Sequence, residues 1–223
     1  MSGGRSARPG PRATGAPVRK HASGAGRLTP VAAPGAVRII GGQWKRTRLP
    51  VPQRPGLRPT PDRVRETLFN WLGQDLTGWH CLDAFAGTGA LGLEAASRGA
   101  QAVTLVESES ALVALLRTVC DKLDATAVRV QRGDGVQALR ACAPASLHLV
   151  LLDPPFEGEH FTAALQAAAR AVRPGGWVYL EAPRHWAADE LQALGLAEYR
   201  YFKAGMVHAH LLQSVAIAAP PAT

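Results

Sequence analysis

The chain has 223 residues, 47% of them hydrophobic and 19% charged, with a net charge of +8, enough for one α/β core and a tail. No apolar run approaches the ~18 residues that cross a bilayer, no secretory leader is recognisable, and three cysteines without CxxC spacing (Cys81, Cys120, Cys142) argue against a disulfide framework or a zinc site. Residues 1–65 carry 14 Lys/Arg against one acid, Asp62, whereas residues 66–223 carry 11 against 16. A basic N-terminal third on a mildly acidic body predicts a polyanionic partner, with a solubilising tail as the alternative. A monomer in a reducing, cytoplasmic setting is expected, with no membrane partner.

Residues 1–36 are Gly, Ala, Pro, Ser and Arg without periodicity, and a disordered basic tail is expected there. Residues 37–59 follow as a basic hairpin and linker. Val37–Leu49 reads as two short strands around a Gly41-Gly42 turn, carrying Arg38, Lys45, Arg46 and Arg48 with Trp44 among them. Positive charge beside an aromatic ring suits phosphates and bases, although a merely solvated hairpin has the same composition. Four prolines in 50–59 mark the linker, which also holds Arg58. Thr60-Pro61-Asp62 opens a helix, with Thr60 as N-cap and Pro61 at the first helical position. Val64, Leu68, Trp71 and Leu72 form its apolar stripe, leaving Arg63, Glu66 and Asn70 off that stripe.

From Cys81 to about residue 217 strands and helices alternate. Strands are predicted near 81–85, 102–107, 127–132, 147–153 and 177–182. Helices are predicted near 90–98, 110–123, 135–141 and 160–172, the last stopping at Val172-Arg173-Pro174-Gly175-Gly176. A helix near 187–194 and two strands, 197–203 and 207–217, complete a domain spanning 60–217, and 218–223 is a flexible end. Five βα units imply a doubly wound, mostly parallel sheet. The last two strands lack an intervening helix and must form a hairpin, so one runs antiparallel.

The chemistry sits at the carboxyl ends of these strands. Leu149-Val150-Leu151-Leu152 reads as a strand buried on both faces. Asp153-Pro154-Pro155-Phe156 then forces the chain out of the sheet, because neither proline has an N–H for the ladder. The corner offers a carboxylate, a carbonyl and a ring, which suits a flat amine-bearing base; a plain turn with Asp153 as a cap is the alternative. Asp83-Ala84-Phe85-Ala86-Gly87-Thr88-Gly89 joins the first core strand to its helix, and Gly87, Gly89 and Gly92 spell GxGxxG. That motif alone allows NAD as readily as another adenosine cofactor. Glu107, followed by Ser108, can take ribose hydroxyls. Asp134, followed by Gly135, can accept from an adenine amine, and Asp83 at the head of the loop would repel a phosphate but welcome an ammonium. Each acid can instead be a helix cap. Four of them at successive strand ends favour a cofactor with an ammonium, a ribose and an adenine but no phosphate, which is S-adenosylmethionine, leaving S-adenosylhomocysteine as product.

Arg38-Ile39-Ile40-Gly41-Gly42-Gln43-Trp44, Gly56-Leu57-Arg58-Pro59-Thr60, Asp62–Leu72, the Gly loop and Asp153-Pro154-Pro155-Phe156 together resemble the bacterial 16S rRNA (guanine(966)-N(2))-methyltransferase family from about Val37 to Gln213. Pro61 stands where a threonine is frequent, and residues 1–36 extend beyond the usual start. The resemblance implies a Rossmann-like class I methyltransferase with a seven-stranded sheet. It implies S-adenosylmethionine as donor, no metal, and a guanine N2 amine of 16S rRNA in the small ribosomal subunit as acceptor. Asp153, Pro154, Pro155 and Phe156 are then the expected catalytic residues. Asp83, Phe85, Gly87, Gly89, Glu107, Ser108, Asp134 and Gly135 would hold the cofactor, and Arg38, Trp44, Lys45, Arg46, Arg58 and Arg63 the RNA. An adenine-N6 methyltransferase could use the same corner, a dehydrogenase would leave Asp83 and that corner unexplained, and a non-catalytic RNA-binding relative would keep the fold. His208 and His210 are expected at the surface or in packing.

Overall fold

The computed structural model describes residues 35–52, 60–155 and 160–215, together with Met1. Contacts divide the chain into Met1–Ala33 and Pro34–Thr223, and every element below belongs to the second unit. Of the expected tail, residues 2–34 lie outside the described residues, as do the end at 218–223, Arg58 and Phe156, whereas Gly35 and Ala36, expected to be disordered, belong to the first strand because they pair with Val51 and Pro50.

Seven strands form one sheet: β3 (His80–Asp83), β4 (Ala102–Glu107), β5 (Val128–Arg132), β6 (Leu147–Leu152), β7 (Val172–Ala182), β8 (Leu196–Ala204) and β9 (Val207–Ser214). Their order is β5-β4-β3-β6-β7-β9-β8. The pairs β5-β4, β4-β3, β3-β6 and β6-β7 are parallel, and β9 runs antiparallel to both β7 and β8. The expected final hairpin is present, and its second strand is the inner one. The helices are α1 (Asp62–Trp71), α2 (Ala90–Ser97), α3 (Ser110–Leu123), α4 (Gly135–Ala141), α5 (His160–Ala171) and α6 (Ala188–Gln192). Residues of α1, α2 and α3 pack on one face with Cys81, Leu105, Leu149, Leu151 and Tyr179. Residues of α4, α5 and α6 pack on the other with Leu82, Val106, Val150, Leu152, Val178 and Leu180. Side chains alternate across a strand, so an all-apolar β6 serves both cores at once. The direction of winding reverses at β3, which lies between β4 and β6. Open α/β sheets leave a crevice at the carboxyl ends of such strands.

Before this sheet, β1 (Gly35–Arg38) pairs antiparallel with β2 (Arg48–Val51). The connection differs from the expected tight turn at Gly41-Gly42. The chain instead makes a nine-residue excursion, closed by Ile39 N–H to Thr47 C=O (2.9 Å) and Arg46 N–H to Ile39 C=O (2.8 Å). The glycines are needed for docking: a Cβ on Gly42 would lie 1.7 Å from the Ser97 carbonyl oxygen, and Gly42 has φ +72°. Gln43 N–H donates to that same carbonyl at 2.8 Å. Pro50, placed in the linker by composition, lies within β2 opposite Ala36. A two-stranded ribbon tolerates it because alternate N–H groups point away from the partner.

The excursion is held to α2 by Glu94, which is fully buried. Its carboxylate accepts from the N–H groups of Ile40 and Gly41, both at 2.8 Å, and from Arg65 and Arg98. Arg65, itself 0% exposed, also donates to the carbonyls of Thr60 and Arg38 and to Asp62. A buried guanidinium needs such company, since an unpaired one carries a desolvation penalty of several kcal/mol. Helical spacing marks Val64, Leu68, Trp71 and Leu72 as the face of α1; Val64, Leu68 and Leu72 are buried, Phe69 and Arg65 with them, and half-buried Trp71 meets Phe202 of β8 edge-on at 5.4 Å.

Two further boundaries move. Pro61, not Thr60, is the N-cap of α1, and no side chain caps it. A proline has no side-chain acceptor, and Thr60 lies one residue before the cap position. The predicted stop at Val172–Gly176 does end α5, but those residues already belong to β7. Val172 pairs with Leu147 and Trp177 with Leu149, so the intervening residues bulge from the ladder, with Gly175 at φ +72°.

Candidate active site

Asp83 ends β3 and is buried. Its Oδ2 accepts the Gly92 N–H at 3.0 Å, while Oδ1 has no hydrogen-bond partner among the described residues. Burial pushes this carboxyl up to about 7. The Gly92 and Phe85 N–H groups oppose that shift, and the charges of Glu107 and Glu181 add to it. Between Asp83 and α2, Gly87 (φ +53°) and Gly89 (φ +79°) take left-handed conformations, Gly89 as the N-cap. Gly92 serves packing, since a Cβ there would meet Leu105 at 2.2 Å. Phe85 is half-buried against the second core.

Glu107 ends β4. One carboxylate oxygen accepts the Gly87 N–H at 2.9 Å; the other accepts the Glu109 N–H at 2.8 Å and the Ser108 hydroxyl at 3.3 Å. The acid is thereby oriented between the Gly loop and the start of α3. Asp134 caps α4, its Oδ1 accepting the Gln137 N–H at 2.8 Å, so the helix-cap role applies to this acid while its other oxygen stays available. A Cβ on Gly135 would stand 2.0 Å from the Ala84 carbonyl oxygen. That contact seats the start of α4 directly against the Gly loop. Asp83, Glu107 and Asp134 thus come from three strand ends around one loop.

Asp153 follows β6, the strand that pairs Leu151 with Asp83. It is half-buried, with Pro154 buried and Pro155 exposed. Burial raises its carboxyl well above the ordinary range, reinforced by the charges of Glu181 and Asp83 and opposed by a hydrogen bond to Thr60. Glu181 near the end of β7 is 3% exposed and accepts the Tyr179 hydroxyl at 2.9 Å. Its carboxyl is also raised, first by burial, against hydrogen bonds from Thr60 and Tyr179 and the charge of Arg65. Sequence reasoning missed Glu181, Tyr179 and Thr60. The signal for Glu181 was there, since it is another acid at the carboxyl end of a buried strand.

An acceptor buried without a partner among the described residues, beside glycines that let a ligand approach the backbone, fits a cofactor ammonium. Glu107 and Asp134 retain lone pairs for a diol and an aromatic amine. The acceptor set around the Gly loop therefore fits S-adenosylmethionine, and it would disfavour a pyrophosphate at Asp83.

The basic residues separate into two kinds. Lys45, Arg46 and Arg63 are exposed. Arg38 is exposed but bound to Asp62 at 2.7 Å, and Trp44 is half-buried against the first core, with its N–H donating to the Ser97 hydroxyl. At the far edge of the sheet, His185 and buried His210 both bond to one oxygen of Glu198 at 2.9 Å, and His208 pairs with Tyr201.

The family model described as Conserved hypothetical protein 95 matches residues 37–213. Ribosomal RNA small subunit methyltransferase D of Escherichia coli (strain K12) is 39% identical over 184 residues, covering 76% of this chain and 90% of that protein. The protein of the same name from Haemophilus influenzae is 35% identical over 187 residues, covering 77% and 95%. Among solved structures, yhhF from Escherichia coli superposes with a TM-score of 0.70 at 35% identity, covering 82% of this chain and 100% of its own. HI0767 from Haemophilus influenzae gives 0.67 at 29%, covering 81% and 99%. With the family model spanning nearly all of the described fold and its site-bearing strand ends, this chain belongs to the Conserved hypothetical protein 95 family, as a relative of the ribosomal RNA small subunit methyltransferases D.

Proposed function

We propose that this chain methylates the exocyclic N2 amine of a guanine in 16S rRNA of the small ribosomal subunit, with S-adenosylmethionine as donor. The observation that carries this reading is the pairing at the crevice: a buried acid with a free acceptor oxygen at the end of β3, and the Asp153-Pro154 corner leaving the adjacent β6. When bound, the donor supplies an electrophilic methyl group on a sulfonium.

The remaining chemistry falls to the protein. A guanine amine is a weak nucleophile because its lone pair is delocalised into the ring. Hydrogen bonds from its N–H groups to the Asp153 carboxylate and the Pro154 carbonyl favour a pyramidal nitrogen and stabilise the positive charge that develops there. One such pre-organised partner is worth roughly 10²–10³ in rate. Asp153 then accepts the proton that the methylated nitrogen sheds. Phe156 would stack on the base, which must leave its neighbours to enter. Arg38, Lys45, Arg46, Arg58 and Arg63 would contact phosphates, and Trp44 would support the hairpin that presents three of them.

The test is methyl transfer from tritiated donor to 16S rRNA or small subunits, followed by nuclease digestion and identification of the nucleoside. N2-methylguanosine is expected from the wild type and none from Asp153→Ala, which should keep its donor affinity. Label in N6-methyladenosine, no label at all, or full turnover by Asp153→Ala would overturn the reading.

A further inference from the structure

Away from the crevice, His185, Glu198 and His210 converge as the one trio of metal-ligating side chains among the described residues, with their ligand atoms all within 4.8 Å of one another. The terminal hairpin builds this trio. Glu198 pairs with Leu212 and Tyr201 with His210, although the ladder slips between Glu198 and Arg200. Directly opposed residues share a face of the sheet. The bulge therefore puts Glu198, Tyr201 and His210 on one side, the side where Leu212 joins the second core. A regular strand would send Glu198 and Tyr201, three positions apart, to opposite faces. His185 reaches the same point from the connection between β7 and α6.

His185 Nε2 and His210 Nδ1 each lie 2.9 Å from Glu198 Oε2. Ligand atoms around a tetrahedral zinc ion, with bonds of about 2.0–2.1 Å, stand ~3.3 Å apart. The two carboxylate contacts need open only slightly, and the His185 side chain, 48% exposed on its loop, is free to close on the third ligand. His210 is fully buried, its ring stacked on His185 at 5.1 Å and flanked by Tyr201 at 5.1 Å. Its Nε2 has no hydrogen-bond partner among the described residues. The bond at one ring nitrogen decides which nitrogen carries the proton, and none here commits that proton to Nδ1. The Nδ1 lone pair can therefore turn to an ion. Arg184, the cation next to His185, is bonded to Glu190 at 2.7 and 2.8 Å. Two imidazoles with one carboxylate select a transition ion over magnesium or calcium, which take oxygen ligands.

We propose that His185 Nε2, His210 Nδ1 and the Glu198 carboxylate form a zinc-binding site that fastens the β7–α6 connection to the β8–β9 hairpin, with water completing the shell on the exposed side. β6 and β7 separate this site from β3. It takes no part in the methyl transfer and stands whether or not that reading does.

The test uses the full chain, stripped with a chelator and dialysed, then titrated with Zn²⁺ by calorimetry and with Co²⁺ in the visible. One zinc ion per chain is expected, together with the intense d–d band of four-coordinate cobalt. At free zinc a hundredfold above Kd, Tm should rise by about 5–10 °C, with no rise in equal Mg²⁺. His185→Ala alters a half-exposed side chain, and Glu198→Gln keeps the shape of the acid. Each should weaken zinc binding at least ~100-fold and abolish the cobalt band, whereas His160→Ala, at an exposed histidine of α5, should change neither. No zinc binding, binding that survives in both His185→Ala and Glu198→Gln, an equal response to Mg²⁺, or cobalt without the four-coordinate band would overturn the proposal and leave the trio as a hydrogen-bonded link only.

Discussion

Glu94 is where removing one side chain should disturb most of the N-terminal architecture. Its two oxygens satisfy the Ile40 and Gly41 N–H groups and the guanidiniums of Arg65 and Arg98. Glu94→Ala leaves both guanidiniums buried without that carboxylate. Breaking a buried ion pair by deleting one partner destabilises by about 3–5 kcal/mol. The lower part of that range is expected, because Arg65 retains Asp62 at 2.6 Å and two carbonyls, and Arg98 retains Gln74 and the face of Phe69. At about 2–4 °C per kcal/mol for a domain of this size, Tm should fall by roughly 6–15 °C. Urea unfolding would measure the change, with an unchanged m-value showing that compactness is preserved. Trypsin should also cut at Arg46 and Arg48 before global unfolding, as the excursion leaves α2. Destabilisation below ~1 kcal/mol with the hairpin still protected would refute the view that this carboxylate ties the hairpin to the sheet domain.

Two glycines with the same left-handed φ should respond differently to alanine. Gly175→Ala meets open space and should destabilise by about 1 kcal/mol from backbone strain alone. Gly42→Ala adds a collision with the Ser97 carbonyl and should exceed ~2 kcal/mol in the same unfolding assay. Asp83 links pH to both stability and binding. Its folded value, about 7, lies above the ordinary 3.8, so the unfolded chain ionises first. Stability from this group is full below pH ~4 and declines as pH rises toward 7, and Asp83→Asn should remove that slope by up to one proton. Donor affinity, followed by calorimetry, should run the other way and weaken as pH drops through 7, because the ammonium needs the carboxylate. A flat affinity profile would contradict the role given to Asp83. Neutralising Lys45, Arg46 and Arg63 together should reduce the slope of log K against log salt by about 2–3 for rRNA binding; an unchanged slope would remove these side chains from the interface.

The elements that could be read from residue order are those whose cause is local. Four apolar residues before two prolines specify a doubly buried strand and its exit, because a missing N–H acts on its own ladder bond wherever the chain lies. Alternating periodicity of two and 3.6 specifies βα units, and acids just past such strands reach the carboxyl edge of the sheet for the same reason. Asp83, Glu107, Asp134 and Asp153 were legible on that basis. The insertion of β9 between β7 and β8 was not, since either strand of a hairpin can pair inward. Nor was the burial of Thr60, which reads as an exposed cap for α1 until the fold encloses it and leaves the cap position to Pro61. Arg65 follows the same logic: an arginine near a helix start looks like a solvated charge until residues 27 and 29 positions away, Arg38 and Glu94, enclose it. Burial and the pairing of buried charges depend on which distant segments meet, and neighbours along the chain carry no record of that meeting.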